Sequence, residues 1–550
     1  MPTITLNKTV FEKLVGKKLP LEQLKDRISM LGTDLEKIEG DEIHVEIFPN
    51  RPDLLSEQGF ARAFSSFIGV KTGWREYQVK KSGLKVMVDK SVTMRPYTMC
   101  ALVKNLRFTD EKIRELMQIQ EKLALTHGRN RKKSAYGIYP ADKIKFPITY
   151  TARDPAKVMF TPLGFSHSLV AEKILTEHPK GKAYAHLTEG WSKYPFFIDA
   201  ANQVLCMLPF TNSEETGKVE LDTKEVFVEC TGIDLQNVTI ALNIFVTMLA
   251  EMGGEIYSLE MVYPERTIVS PELTPKKMKL DLDYINRRLG LTLKEKEAVA
   301  LLARMGYGFK KGRVLIPAYR ADILHQVDLM EDLAIAYGYE NFKEEIPHVA
   351  TIGGEDPFEN FLRKVREIVT GLGILEVKNY HLMAQEELKG KMLSPQQPIA
   401  LKNAFGDYNH LRHSVLPSLL KNLAENQHQE YPQNLFEIGR TFMLDANIET
   451  GVAETERLVL VMCHEKTDFT EIRQVLDALL RSLGLELVIQ ESTHPSFIPG
   501  RIGDVLVNGK NIGQIGEVHP QVLTNWGITV PVVGLEVDLK KVFEEVEVKQ

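Results

Sequence analysis

Cysteine is scarce in this chain: four residues in 550, at Cys100, Cys206, Cys230 and Cys463, with no Cys-x-x-Cys pair. That excludes a disulfide scaffold and a thiolate zinc site, and it suits a reducing compartment. An excess of one charge is also missing. Lysine plus arginine is 68 and aspartate plus glutamate is 74, for a formal net charge of −6. A chain that coats nucleic acid through its global charge is thereby excluded, although a local basic patch is not. Long apolar runs are absent too, since the longest helical one, Ile240 to Met252, is too short to span a bilayer. Charges interrupt every short apolar stretch from Met1 to Lys18, so no secretory signal is visible. A composition of 43% hydrophobic and 26% charged residues argues against wholesale disorder. At roughly 150 residues per domain, the length implies about three or four domains. These readings predict a soluble, cytoplasmic, multidomain protein.

Familiar catalytic signatures are lacking as well. Gly503 to Lys510 imitates a phosphate loop but has one residue too many and Asn511 where a magnesium-binding hydroxyl is needed. The segment Gly164-Phe165-Ser166-His167-Ser168 lacks the second glycine of a nucleophile elbow. His464-Glu465 has no second histidine at helical spacing for zinc. No dinucleotide fingerprint follows any strand.

Periodicity organises what is present. Residues 1–78 read as a small mixed unit, with helical spacing at Leu21 to Leu31 and strand alternation at Glu42 to Phe48. Ser56-Glu57 offers a helix start for Gly59 to Ile68. From 79 to 265, strands such as Leu84 to Val88 and Glu225 to Val228 alternate with helices, and Val238 to Met252 reads as a buried helix closed by Gly253-Gly254. Residues 266–346 carry three short helical patterns with a strand at Val314 to Ile316. Thr351-Ile352-Gly353-Gly354 reads as a linker into a final region, 350–550, which opens on an amphipathic helix and has a hairpin turn at Asn508-Gly509. The mixture predicts several α/β and α+β domains.

Three constellations carry chemistry. Asp328, Glu331 and Asp332 lie at i, i+3 and i+4 on one helical face, with Asp322 six residues before them. Oxygen ligands of this kind suit magnesium or calcium, but an arginine or lysine would neutralise them equally, and a capped acidic helix start explains them more plainly. His127-Gly128-Arg129-Asn130-Arg131-Lys132-Lys133 concentrates four permanent cations around a glycine, as phosphate contact requires, with Tyr136 and Tyr139 just beyond. A solvated basic loop has the same composition. Pro209-Phe210-Thr211-Asn212-Ser213 and Glu229-Cys230-Thr231-Gly232-Ile233-Asp234 end strand-like runs, where polar groups can converge on a ligand. Turn and capping roles explain such residues too.

The collinear order of Asn50-Arg51-Pro52-Asp53-Leu54-Leu55, Gly128 to Arg131, Tyr194 to Asp199, Pro209 to Ser213, Pro317 to Asp332 with Ala336 to Tyr339, and Leu411 to Pro417 resembles one family across nearly the whole chain. It is the β subunit of phenylalanyl-tRNA synthetase in its archaeal and eukaryotic-cytosolic form. The resemblance implies an N-terminal unit (1–78), a tRNA-editing domain (79–265) and a small helical, winged-helix-like domain related to DNA-binding folds (266–346). It further implies an inactive antiparallel-sheet domain like a class II synthetase core (350–550). Activation of phenylalanine with ATP would then fall to an α subunit in an α2β2 tetramer, leaving this chain to bind tRNA(Phe) and hydrolyse Tyr-tRNA(Phe). By that resemblance Pro209, Asn212, Ser213, Thr231 and Asp234 border the editing pocket. His127, Arg129, Arg131 and Lys132 approach the tRNA, and Asp322, Asp328, Glu331 and Asp332 take positions associated with Mg2+.

The sequence supports loss of activation independently: no arginine follows Arg501, and Gly534 to Asp538 stands where an ATP-holding arginine is expected. Two other functions compete with the family reading: a stand-alone metal-dependent phosphoesterase built on the acidic cluster, and a non-catalytic tRNA-binding scaffold.

Overall fold

The computed structural model describes residues 2–346, 352–404 and 406–548. Thr351, the first residue of the expected second linker, lies outside them. The chain forms two compact units, 1–346 and 347–550.

In the first unit, strands Thr3–Asn7, Glu42–Glu46 and Asp34–Glu39 form a small antiparallel sheet. The helix Glu57–Phe67 packs against the helix Lys8–Val15, and its first turn is capped by the Ser56 hydroxyl accepting from the Gly59 N–H at 3.0 Å. Phe60, Phe64 and Phe67 recur at i, i+4 and i+7 on its buried face, and the rings of Phe60 and Phe64 meet Phe11 at 5.7 and 5.3 Å. Gly59 is required there, because a Cβ would come within 2.1 Å of the Asp53 carbonyl.

The next segment builds one large sheet. Its strands run, edge to edge, Thr211–Asn212, Val204–Met207, Tyr194–Ile198, Ile148–Arg153, Val79–Val88, Glu255–Val262, Tyr97–Lys104, Val226–Gly232 and Ser134–Pro140. The pairs Val79–Val88 with Glu255–Val262 and with Ile148–Arg153 are parallel, and the others are antiparallel. The two ends of this order meet: the Tyr139 hydroxyl, on the last strand, donates to Asn212 Oδ1, on the first, at 3.0 Å. A right-handed twist accumulated over so many strands curls the sheet until its edges close. The apolar helix Leu235–Glu251, capped by Asp234 and ended at Gly253 with φ +101°, fills the space beneath. Beyond it, strands Lys276–Lys279, Arg313–Ile316 and Gly308–Lys310 form a small sheet with helices Leu282–Leu289, Glu295–Arg304 and Gln326–Tyr337. One continuous apolar core joins all three segments, and a smaller separate cluster around Phe160, Ile174, Phe196 and Phe210 lies in the second.

The second unit opens with the helix Pro357–Gly371 and is built on a seven-stranded sheet. Its order is Leu375–Glu376, Gln433–Leu444, Val452–Cys463, Val532–Asp538, Lys510–Val518, Phe497–Val507 and Val488–Glu491, antiparallel except for the first pair. The run Leu458 to Cys463 shows why both faces are covered. Leu458, Leu460 and Met462 enter one core, while Val459, Val461 and Cys463 enter the other. Asn508 and Gly509, at φ +50° and +81°, make the expected tight hairpin.

Candidate functional site

The closed sheet of the first unit brings three of the sequence-predicted segments together. Arg129, Asn130 and Arg131 all hold positive φ, 49°, 52° and 64°. Each such non-glycine residue costs about 1–2 kcal/mol. The turn is held by backbone bonds from Asn130 to Leu125, from Arg131 to Ala124 and from Lys133 to Gly128. It places the Arg131 guanidinium on the carbonyls of Pro209 and Phe210 at 2.9 and 3.0 Å, over the Tyr184 ring and beside Glu121. Arg131 therefore anchors the 209–213 segment instead of facing solvent. His127 is likewise occupied: its Nε2 lies 3.0 Å from the Asn237 carbonyl, and burial lowers its pKa. Arg129 and Lys132 are the exposed cations of the predicted set.

Arg95, which sequence reasoning missed, ties the turn to the other predicted segment. Buried at 2% exposure, it donates to the Arg131 carbonyl and to the Thr231 carbonyl, each at 3.0 Å. Thr231 and Glu229 lie inside the strand Val226–Gly232, not in a loop after it. Thr231 has its hydroxyl 3.5 Å from the Ala135 carbonyl. Asp234 caps the helix Leu235–Glu251 and pairs with Lys133 at 3.5 Å, while the Ser213 hydroxyl is taken by Glu215. Asp234 and Ser213 thus have the capping and turn roles that their residue types also suggested.

The chemically unusual group is Glu229. It is fully buried; the Tyr139 hydroxyl lies 3.3 Å from Oε1, and Oε2 has no hydrogen-bond partner among the described residues. Burial pushes its carboxyl up to about 8, against the opposing effects of Tyr139 and Arg95. The same Tyr139 hydroxyl reaches Asn212, so Asn212, Tyr139 and Glu229 form one polar cluster in an apolar surround. A lone charged residue in Val226-Phe227-Val228-Glu229-Cys230 was the available signal.

The four acids predicted to hold Mg2+ do not converge on a common point. The buried Arg320 forks onto Asp322 at 2.7 and 2.8 Å and reaches Asp332 at 2.7 Å, with the Tyr307 hydroxyl also on Asp332. Asp328 accepts the backbone N–H groups of Leu324 and His325 at 2.7 Å, closing the helix start, and Glu331 accepts from the Tyr339 hydroxyl. Among the described residues no group of three or more His, Cys, Asp or Glu is placed to hold a metal ion. As placed, all four acids are engaged by protein partners. The neutralising cation is an arginine, bidentate on one carboxylate and shared with a second.

In the second unit a cavity of about 460 Å³ opens beside the strand Val532–Asp538 and the start of the helix Leu539–Glu547. Arg457, Lys541, Glu536 and His413 are among its lining residues. A search for a late arginine overlooks the positive charge that Arg457 and Lys541 bring here. Nearby, Arg412 and Glu437 form an ion pair at 2.8 Å with both side chains at 0% exposure.

Comparison with known proteins places these features in a class. Residues 278–339 match the tRNA synthetase B5 domain family, and residues 343–539 match the phenylalanyl tRNA synthetase beta chain CLM domain family. Both define a subunit of an aminoacyl-tRNA synthetase. The chain is 40% identical over 556 residues to the phenylalanine–tRNA ligase beta subunit of Pyrococcus abyssi, covering 99% of this chain and 100% of that one. It is 41% identical over 566 residues to the same-named protein of Thermococcus gammatolerans, again covering 99% and 100%. A crystal structure of an N-terminal fragment of the phenylalanyl-tRNA synthetase beta subunit from Pyrococcus horikoshii aligns with TM-score 0.59 at 40% identity, covering 62% of this chain and 100% of that one. The chain belongs to the family of phenylalanine–tRNA ligase beta subunits. No helix among the described residues is long and apolar enough to cross a membrane.

Proposed function

We propose that this chain is the proofreading and scaffolding half of a phenylalanine–tRNA ligase: an α subunit forms Phe-tRNA(Phe), and the 79–265 segment hydrolyses Tyr-tRNA(Phe). The observation that carries the reading is the buried Glu229, with one carboxyl oxygen unpartnered beside Tyr139 and Asn212. An apolar activation pocket rejects an added hydroxyl by only about 100-fold, whereas a site built to bond that hydroxyl discriminates by about 10⁴ or more. A tyrosyl phenol satisfies Glu229, while a phenylalanyl ring leaves it unpaired, so the correct product is spared. With its carboxyl held protonated to about 8, Glu229 acts near neutrality as a hydrogen-bonding group and not as a general base. The attacking water is then held by pocket polar groups and the terminal hydroxyl of the tRNA.

Arg129 and Lys132 contact the tRNA, with Arg131 and Arg95 fixing the turn that presents them. ATP and its magnesium belong to the α subunit, in an α2β2 assembly. The 266–346 segment is a winged-helix-like unit, and the 350–550 segment is a class II-like core without activation chemistry. A metal-dependent phosphoesterase is disfavoured, because Arg320 already occupies the acid pair its metals would need. The test is deacylation by the full chain of Tyr-tRNA(Phe) against Phe-tRNA(Phe). Selective release of tyrosine, lost in Glu229→Ala with tRNA binding kept, is the expected outcome. Unchanged release in that variant refutes the role given to Glu229, and no release by the unmodified chain leaves the scaffold reading in its place.

A further inference from the structure

We infer that the 460 Å³ cavity of the second unit is a binding site for a small molecule with an anionic head and a flat apolar body. The inference does not depend on proofreading.

The charges lining the cavity are unequally spent. Glu536 is satisfied, taking the Ser414 hydroxyl at 2.5 Å and the Val415 N–H at 3.4 Å. Asp538 has one oxygen satisfied, capping the last helix by accepting from the N–H groups of Lys540 and Lys541. The cations are less engaged. Among the described residues Arg457 is engaged through its Nε, by Thr441 at 3.2 Å and Glu536 at 3.7 Å, which leaves the fork of the guanidinium open. The Lys541 ammonium is bonded to the Asn511 carbonyl at 3.1 Å, and no carboxylate lies against it among the described residues. The open donors of Arg457 and Lys541 offer this side of the cavity to one anionic group.

A second, independent observation points the same way. His413 lines this cavity at 8% exposure, and its Nδ1 has no hydrogen-bond partner among the described residues, while Nε2 lies 3.5 Å from the Ser394 hydroxyl. An orphaned ring nitrogen in so buried a residue is a group awaiting a partner. Leu388, Met392, Leu416, Phe497 and Ile512 supply an apolar wall. Polar groups that converge opposite such a wall, in this volume, suit a small molecule with a charged head. Phosphate and carboxylate heads share the required charge, and the body is the size of a nucleoside or an aryl side chain.

The test is calorimetric titration of the full-length chain with AMP, with 3-phenylpropionate and with adenosine. We expect AMP or 3-phenylpropionate to bind with Kd below about 1 mM, and adenosine to bind at least about tenfold more weakly. The tighter of the two anions identifies the head group. Lys541→Gln, at an exposed position, and Arg457→Met should each weaken that anion by about tenfold or more. Lys541→Gln with an unchanged melting profile keeps the comparison free of unfolding. Adenosine binding as well as AMP, neither anion binding, or Lys541→Gln binding as the unmodified chain does would each overturn the inference.

Discussion

Glu229→Gln should change the stability of the first unit in a way that depends on pH and on nothing else in the side chain's shape. The folded carboxyl is raised from 4.5 to about 8 by burial. The stability of the protonated form is therefore fully present below pH 4.5 and is lost as pH rises toward about 8, because the unfolded chain releases the proton earlier. Each pH unit in that window is worth about 1.4 kcal/mol, so the whole window amounts to about 5 kcal/mol. Glutamine keeps the volume and never ionises. The first unit has 346 residues. With about 2.1 cal/mol/K of unfolding entropy per residue, 5 kcal/mol moves its melting midpoint by about 7 °C. Differential scanning of both proteins from pH 5 to pH 8.5 should give midpoints that differ little at the acid end and diverge in favour of the glutamine variant. Glu57 and Glu115, each pushed up to about 7, titrate in both proteins and cancel in the difference. A midpoint difference that stays constant across this range would refute the claim that Glu229 is buried and protonated.

Other perturbations separate anchoring residues from binding ones. Arg129→Ala should weaken tRNA binding and lower the slope of log affinity against log salt by about 0.7–0.9, while the melting profile stays unchanged. Arg131→Ala should instead lower the midpoint of the first unit, since its guanidinium holds the Pro209 and Phe210 carbonyls. Arg412→Ala strands the buried Glu437 carboxylate and should destabilise the second unit by about 3–5 kcal/mol, read from its own unfolding transition in urea. Removing divalent ions with a chelator should leave the melting of the isolated chain unchanged. A drop of several degrees would contradict the assignment of Arg320 as the cation of Asp322 and Asp332.

Elements with a strong local signal were legible in the sequence. The Ser56 cap, the helix closed at Gly253, the amphipathic helix at 357–371 and the Asn508-Gly509 turn all stand where periodicity and turn chemistry predict them. The strand at Glu229–Gly232 was less legible, because Glu and Gly are poor strand formers and the place of these residues is decided by pairing with Tyr97–Lys104 and Ser134–Pro140. Closure of the large sheet, which makes Tyr139 a neighbour of Asn212, is a long-range result that no local pattern encodes. For the same reason the spacing of Asp328, Glu331 and Asp332 could show a shared helical face but not that Arg320 reaches in from the preceding loop. Arg131 illustrates the converse. Its composition marks a basic loop, and only three successive left-handed residues turn its side chain inward.

The division of labour can be measured directly by phenylalanine-dependent exchange of pyrophosphate into ATP, with the purified full-length chain alone and again after addition of its α partner. Exchange that is absent from the isolated chain and present in the reconstituted complex is the result this account requires. Exchange by the isolated chain would show that its second unit activates the amino acid, and would contradict the account at its centre.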